Sequence, residues 1–473
     1  MSDSATEAIS KPTNPGGKAQ NLTQAISIRL RQPARLRNIE LGLLLIACGI
    51  AVGALVLVQL GALGELRTDV LWSEIIILVL ALVLHVILRV VAREADPFLV
   101  PIALTLNGLG IAEIYRIDIA SWTTQNPTHA GERQILWTTA ALIIAIAVLL
   151  VIRNYRVLAR YRYIAMFISI VFLLLPLVPG LGRRGLAARV WIDVGPLSFQ
   201  PGEIAKITLA IFFAGYLVQA RDSISLMGPK ILGMRFPRAR DLGPILIIWA
   251  VAMLVLIFER DIGTSLLYFG LFVVMIYVAT GKGSWVILGM ILFVGGALVA
   301  ALTMSYVHGR FEAWLDPFST EAYNRIGGSF QLVAGLFGLA NGGLIGTGFG
   351  QGSPQTTPLA QSDYIIASLG EELGLAGLVA ILALYLLLVS RGFRIGFVGQ
   401  DDFGKLLGVG LAFAMALQVF VVMGGVTRVI PLTGLTMPFL AAGGSSLLSN
   451  WIIVALLLRL SDGVRSGPRM VVG

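Results

Sequence analysis

Apolar runs about as long as a bilayer is thick recur from residue 40 to residue 459, each bounded by a short polar or basic segment. A helix needs about 20 apolar residues to cross the hydrocarbon core. On that measure the chain predicts twelve helices, at about 40–61, 74–93, 98–115, 134–152, 163–180, 204–219, 244–259, 262–280, 285–303, 364–390, 404–424 and 438–459. The expected fold class is an all-α polytopic membrane protein with about 12 transmembrane helices. The longest stretch without a span is 304–362, with paired glycines at 327–328 and 342–343 and GTGFGQG at 346–352. Its Phe, Leu and Trp content predicts an ordered loop that folds back on the bundle. Residues 1–39 precede the first apolar run and begin rich in Ser, Thr, Asn, Gly and Pro, which predicts a disordered tail. With no apolar core before about residue 40, a cleaved leader is excluded and the first span is expected to direct insertion.

Composition agrees. The 473 residues are 57% hydrophobic and only 13% charged, and the mean hydropathy is +0.86. A soluble chain of this length carries far more charge. Cys48 is the only cysteine, so an internal disulfide is impossible. His85, His129 and His308 lie far apart, and nothing has metal-ligand spacing. The net charge of +9 raises nucleic acid as a partner, but its distribution argues otherwise. With the N-terminus in the cytoplasm and the spans alternating, 24 of the 35 Lys and Arg fall on cytoplasmic segments. That asymmetry is the positive-inside rule, so the basic balance reports topology and contact with anionic lipid. Both termini are then cytoplasmic and the 304–362 loop faces outward.

Charges on the outer side are not explained by topology, and they form four groups. GRRGLAARVWIDVGPLSFQPGEIAK (182–206) carries Arg183, Arg184 and Arg189, then Trp191, Glu203 and Lys206. It reads either as a surface loop with a glutamate at a helix N-terminus or as a basic rim that holds an anionic group. In FERDIGTSLL (258–267), Glu259, Arg260 and Asp261 separate two apolar runs. Asp261 reads as a helix N-cap, and an Arg–Asp pair inside a cavity is the alternative. Arg310, Asp316 and Gln331 lie in the long loop. In QSDYIIASLGEELGLAG (361–377), Asp363 stands where loop becomes helix, with Glu371 and Glu372 two turns on. On a continuous helix Glu371 would sit about 80° around from Asp363, close enough to face the same cavity. N-capping accounts for Asp363 but not for carboxylates two turns deep. A cavity lined by carboxylates and arginines can grip a diphosphate and remove a proton from a hydroxyl. No nucleotide-binding motif accompanies it, so the substrate must come from the membrane or the outer space.

These motifs, with WLDP (314–317), NGGLIGTGFGQG (341–352) and GGVTRVIPLTGLTMPFLAAGGSSLL (424–448), resemble the SEDS (shape, elongation, division and sporulation) family, the RodA/FtsW/SpoVE group, over about 98–462. The likeness is greatest to its RodA branch. The family has ten helices, which makes 40–97 an addition of two N-terminal helices, 98–462 the transferase core and 463–473 a cytoplasmic tail. Three departures stand out: Val190 rather than Arg precedes Trp191, Gly202 makes QPSE into QPGE, and GGSFQLVAG (327–335) replaces GYHIIQS.

The resemblance implies a peptidoglycan glycosyltransferase in the bacterial cytoplasmic membrane. It would polymerise lipid II, an undecaprenyl-diphosphate-linked disaccharide-pentapeptide, into β-1,4 strands during cell elongation. It identifies Asp363 with the family's essential aspartate, and Trp191, Glu203, Lys206 and Asp261 with further family positions. Asp363 is then the general base, and the substrate-binding set is Arg183, Arg184, Arg189, Trp191, Glu203, Lys206, Asp261 and Arg310. Arginines or a divalent cation, Mg or Mn, would offset the leaving diphosphate. The implied partner is a class B penicillin-binding protein, a transpeptidase; nucleic acid is not expected. A lipid-linked precursor flippase or a secondary transporter would use a similar cavity without making a bond.

Overall fold

The computed structural model describes residues 33–466 apart from 123–126, 183–188, 195–196, 225–226, 232–233, 238–242 and 326. Every expected span overlaps a helix. The first four are α1 (Pro33–Leu63), α2 (Thr68–Val91), α3 (Leu99–Ser121) and α4 (Ala130–Val151). Next come α5 (Arg162–Leu174), α6 (Pro201–Ile224), α7 (Gly243–Glu259), α8 (Ile262–Thr280) and α9 (Ser284–Thr303). Three helices interrupt the long loop: α10 (Ser305–Leu315), α11 (Thr320–Asn324) and α12 (Phe330–Gly342). The chain ends with α13 (Ile365–Val398), α14 (Asp402–Val426) and α15 (Gly444–Ser466). Among the described residues nine helices are long and apolar enough to cross a membrane. α3 is not among these nine, because it carries Glu113, Arg116 and Asp118; α5 and α7 are shorter.

Two details differ from the sequence reading. α1 begins at Pro33, inside the segment expected as tail, because Pro suits the first helical turn and the residues that follow are good helix formers. Residues 1–32 of that segment lie outside the described residues. Two small hairpins also stand among the helices. β1 (Ile192–Val194) pairs antiparallel with β2 (Leu197–Phe199), Ile192 opposite Phe199. β3 (Met227–Ile231) pairs with β4 (Met234–Pro237).

α3 is buried along almost its whole length and forms the centre of the bundle. α1 packs along it, and α4 packs against α15, α5 against α6, and α13 against α14. Apolar side chains such as Leu45, Ile46, Val86 and Val299 stay exposed on the outer helices. In water that surface would be a liability, and in hydrocarbon it is the solvated face.

The long loop is ordered and folds back on the bundle, as its apolar content predicts. α12 lies against α13, where Gly342 packs onto the backbone of Gly370 and Glu371 too closely for any Cβ. α13 itself is broken at Gly374, whose φ of 68° and ψ of −173° is a conformation that glycine alone adopts readily. The break frees backbone groups that a bilayer cannot satisfy. Segment 343–348 satisfies them: Leu375 N–H donates to Gly343 O (2.9 Å), Ala376 N–H to Leu344 O (3.0 Å), Thr347 N–H to Glu371 O (3.0 Å) and Gly348 N–H to Glu372 O (2.9 Å).

Candidate functional site

A cavity of about 920 Å³ opens at the end of the bundle that carries the long loop. Its walls come from parts of the chain far apart in sequence. Trp191 and Gln200 flank the β1–β2 hairpin, and Arg260 and Asp261 join α7 to α8. Tyr306 and Arg310 come from α10, with Arg325 and Gln331 further along the loop. Ser362, Asp363 and Tyr364 precede α13, and Leu432, Thr433 and Thr436 lie between α14 and α15.

Asp363 is half-buried in this wall, and no described residue donates a hydrogen bond to its carboxylate. Burial pushes its pKa up from 3.8 to about 6; Arg310 pulls it down and Asp261 adds to the rise. Near neutral pH it is therefore mostly ionised, basic for a carboxylate and free to accept a proton. Arg310 is fixed in turn, its Nη1 donating to Leu432 O at 2.6 Å.

Asp261 is the N-cap of α8 and takes both Thr264 N (3.0 Å) and Thr264 Oγ1 (2.5 Å) as donors. Of its two sequence readings, capping is the one found, and no ion pair joins it to Arg260. Burial raises the Asp261 pKa, and the Thr264 donors and Arg310 counter it. Arg260 adopts a left-handed φ of 57°, uncommon for a non-glycine residue, and its exposed side chain lines the cavity. Arg325 also lines it while bridged to Glu312 at 2.5 Å.

Of the other sequence candidates, Trp191, Asp261 and Arg310 line the cavity with Asp363. Glu203 and Lys206 do not. They form a buried pair at 2.5 Å, with Ser449 Oγ on Glu203 (2.8 Å) and the Lys206 ammonium on Gln418 Oε1 (2.8 Å). The reason is helical spacing: i and i+3 stack on one face of α6, and that face points into the bundle. Arg189 is exposed, and its backbone N–H donates to Glu259 O at 2.8 Å. Arg183 and Arg184 lie outside the described residues. Val190, where the family has arginine, occupies the cavity wall itself. Gly202 leaves room for the Tyr268 hydroxyl, which donates to its carbonyl at 2.8 Å.

Glu371 and Glu372 do not share the cavity with Asp363. Asp363 stands in the turn before α13, so the angle counted along a continuous helix does not apply. Glu371 Oε1 accepts from Asn341 Nδ2 (2.9 Å) and Ser353 N (3.2 Å). Glu372 accepts from Gly350 N (2.8 Å), Gly352 N (3.2 Å) and Arg116 Nε (3.0 Å). Both carboxylates tie the glycine-rich loop to the broken helix. Sequence reasoning passed over Arg325, Gln200 and Tyr364. For Arg325 a signal existed: it is a cation on the loop that the charge asymmetry does not explain.

The family model described as "Cell cycle protein", covering FtsW, RodA and SpoVE, matches residues 97–466. The chain belongs to that family. The match begins after α2 and takes in every cavity residue named above. The peptidoglycan glycosyltransferase RodA of Mycobacterium tuberculosis is 42% identical over 91% of this chain and 91% of its own length. That of Mycobacterium leprae is 41% identical over 94% of each. A chain of a peptidoglycan synthase complex that coordinates polymerization and crosslinking superposes with a TM-score of 0.61 at 25% identity, covering 79% of this chain and 99% of its own. Family membership and the apolar helices make this a multi-pass protein of the cytoplasmic membrane.

Proposed function

We propose that this chain is a peptidoglycan glycosyltransferase that polymerises lipid II at the outer face of the membrane, with Asp363 as general base. One observation carries the reading: a half-buried carboxylate without a donor faces a cavity into which Arg260, Arg310 and Arg325 also project. A flippase needs the cations but has no use for a base. The names of the relatives support the transferase over the flippase.

Asp363 takes the proton of the acceptor sugar's 4-hydroxyl, and the freed oxygen pair attacks the anomeric carbon of the donor. The bond from that carbon to the diphosphate oxygen breaks, and the lipid diphosphate leaves with the electron pair. A single displacement inverts the centre and converts an α-linked donor to a β-1,4 linkage. The arginines stabilise the charge that builds on the diphosphate, a cost that outweighs protonation of so good a leaving group. Asp261 holds the start of α8 in place, and Trp191 offers an apolar face to a sugar.

Among the described residues no three metal-ligating side chains cluster. Mg²⁺ typically needs only one or two carboxylates when phosphate oxygens and water complete its shell. Asp261 has both oxygens engaged by Thr264 and Asp363 is needed unliganded as the base, so a cation would be carried by the diphosphate itself and would add charge neutralisation to that of the arginines.

The arrangement in the membrane follows from the charge asymmetry: both termini in the cytoplasm, twelve spans, two added helices over 40–97 and a core over 98–462. Arg189, next to Val190 of the cavity wall, stands at the approach to the cavity. The likeness to a synthase complex supports a class B penicillin-binding protein as the crosslinking partner. Purified protein in detergent with labelled lipid II tests the core of the reading. Wild type should make long glycan strands, and Asp363→Ala should make none while still folding. Lipid moved between leaflets with no polymer made would replace the transferase by the flippase.

A further inference from the structure

The opposite end of the bundle holds a second cavity, of about 610 Å³, that the reaction does not use. α13 separates the two: Asp363 precedes its first residue, and Arg391, Arg394 and Val398 stand at its far end, beyond the break at Gly374 and about 40–50 Å along the helix. Four guanidinium groups line this cavity, those of Arg35, Arg391, Arg394 and Arg465, against the single carboxylate of Asp96. Asp96 is buried and already engaged, 2.6 Å from Arg465 and 3.8 Å from Arg391. Arg391 also lies over the Phe98 ring, 4.1 Å from its centroid. Arg35 and Arg394 are exposed at the rim and have no partner among the described residues. Apart from the buried Ser461 the rest of the lining is apolar, and Ile39 and Val398 are 41% and 44% exposed on the flank that faces lipid.

We propose that this cavity binds an anionic phospholipid. Arg35 and Arg394 hold its phosphate, and its acyl chains run along Ile39 and Val398. The chemistry favours a lipid over a free anion. Surplus cations in a recess at a membrane interface call for phosphate, and the planar fork of arginine suits it. An inorganic ion would leave the apolar half of the recess empty. By the charge asymmetry of the chain this is the cytoplasmic end, where basic recesses between helices meet lipid headgroups. The site also joins α1, which precedes the family match at residue 97, to α13 and α15 inside it. The lipid would staple the added helix to the core.

Native mass spectrometry of the full chain in detergent tests this, with dioleoylphosphatidylglycerol as probe and dioleoylphosphatidylcholine as comparator. Wild type should retain phosphatidylglycerol about tenfold more than phosphatidylcholine, and Arg35→Gln with Arg394→Gln should abolish the preference, as expected when two charge-assisted contacts go. Both arginines are exposed and unpaired, so their loss does not threaten folding. Arg160→Gln with Lys282→Gln removes the same charge from the same end and should behave as wild type. Phosphatidylglycerol bearing a photoreactive headgroup should label residues 33–39 and 391–398. Equal retention of the two lipids, parallel loss in both double variants, or label spread over all the basic loops overturns the proposal. So does displacement of phosphatidylglycerol by an equal concentration of inorganic phosphate.

Discussion

Replacing Asp363 by Asn separates the chemistry of this side chain from its cost. The carboxylate sits in a half-closed cavity without a donor, and its pKa rises from 3.8 to about 6. Each pH unit between those values is worth about 1.4 kcal/mol, so holding the ionised form in the fold costs up to about 3 kcal/mol, less whatever the solvent in the open cavity screens. The sign follows from where the proton sits. Below pH 3.8 the group is protonated in folded and unfolded chains alike, and stability is at its greatest. As pH rises towards 6 the unfolded chain ionises first, and stability falls until the folded group ionises too. Asn mimics the protonated form at every pH. Asp363→Asn should therefore melt like wild type near pH 4 and several degrees higher at pH 8, at roughly 2 °C per kcal/mol, while making no glycan. Thermal melts of both proteins in one detergent at the two pH values, beside the lipid II assay, read all of this. A variant less stable than wild type at pH 8 would mean that the carboxylate is held by favourable contacts, and the free-base reading would fall.

Three further outcomes follow. The wild-type rate should decline about tenfold per pH unit below about 6, and Arg310→Gln should move that limb upward, because Arg310 is the group that lowers the Asp363 pKa; a pH–rate profile of polymerisation reads the shift. Gly374→Ala should destabilise by about 3–9 kcal/mol, combining a backbone conformation costing about 1–3 with the four hydrogen bonds, about 0.5–1.5 each, that the break exchanges with 343–348. Its Cβ would stand 2.3 Å from the Gly346 nitrogen, whereas Gly295→Ala in open space should be neutral or better in the same melt. Lys206→Met leaves Glu203 buried without its cation and should cost about 3–5 kcal/mol, and Glu203→Gln with Lys206→Met should recover much of that in a double-mutant cycle.

Several of these features were legible in the sequence. Apolar runs of bilayer length announce themselves because hydrocarbon leaves a chain no other means of satisfying its backbone. Asp363 and Arg310 were legible as charges that topology does not require. The break at Gly374 was not, because a glycine in an apolar helix looks the same whether it packs against a neighbour or turns the chain. Its signature lies 30 residues upstream in the glycine-rich segment, and only the fold brings the two together. The placement of Glu203 and Lys206 was hidden for a related reason. Their spacing shows that they meet, while the face of α6 they occupy depends on Gln418 and Ser449, more than 200 residues on. The role of Glu371 and Glu372 as loop anchors was foreseen only in part, since two turns of assumed helix placed them beside Asp363.

The buried pair nevertheless reaches the cavity by way of the backbone. Lys206 donates to Gln418 Oε1, and Gln418 Nε2 donates to the carbonyl of Thr436, a residue of the cavity wall. The segment that holds Thr436 is anchored at its ends as well: Ala442 N–H donates to Gln361 O at 2.7 Å, and Arg428 donates to the carbonyls of Trp314 and Leu315, both at 2.9 Å. Arg260, Leu359, Arg428 and Phe439 are the described non-glycine residues with positive φ, and all four lie in segments that meet at this cavity. Each such residue costs on the order of 1 kcal/mol or more and persists only where its surroundings fix it. A carboxylate kept free of donors needs walls that cannot relax onto it, and this frame of strained turns tied to a buried ion pair supplies them. The Glu203–Lys206 pair is thus linked through Gln418 to the wall around Asp363 without lining the cavity itself.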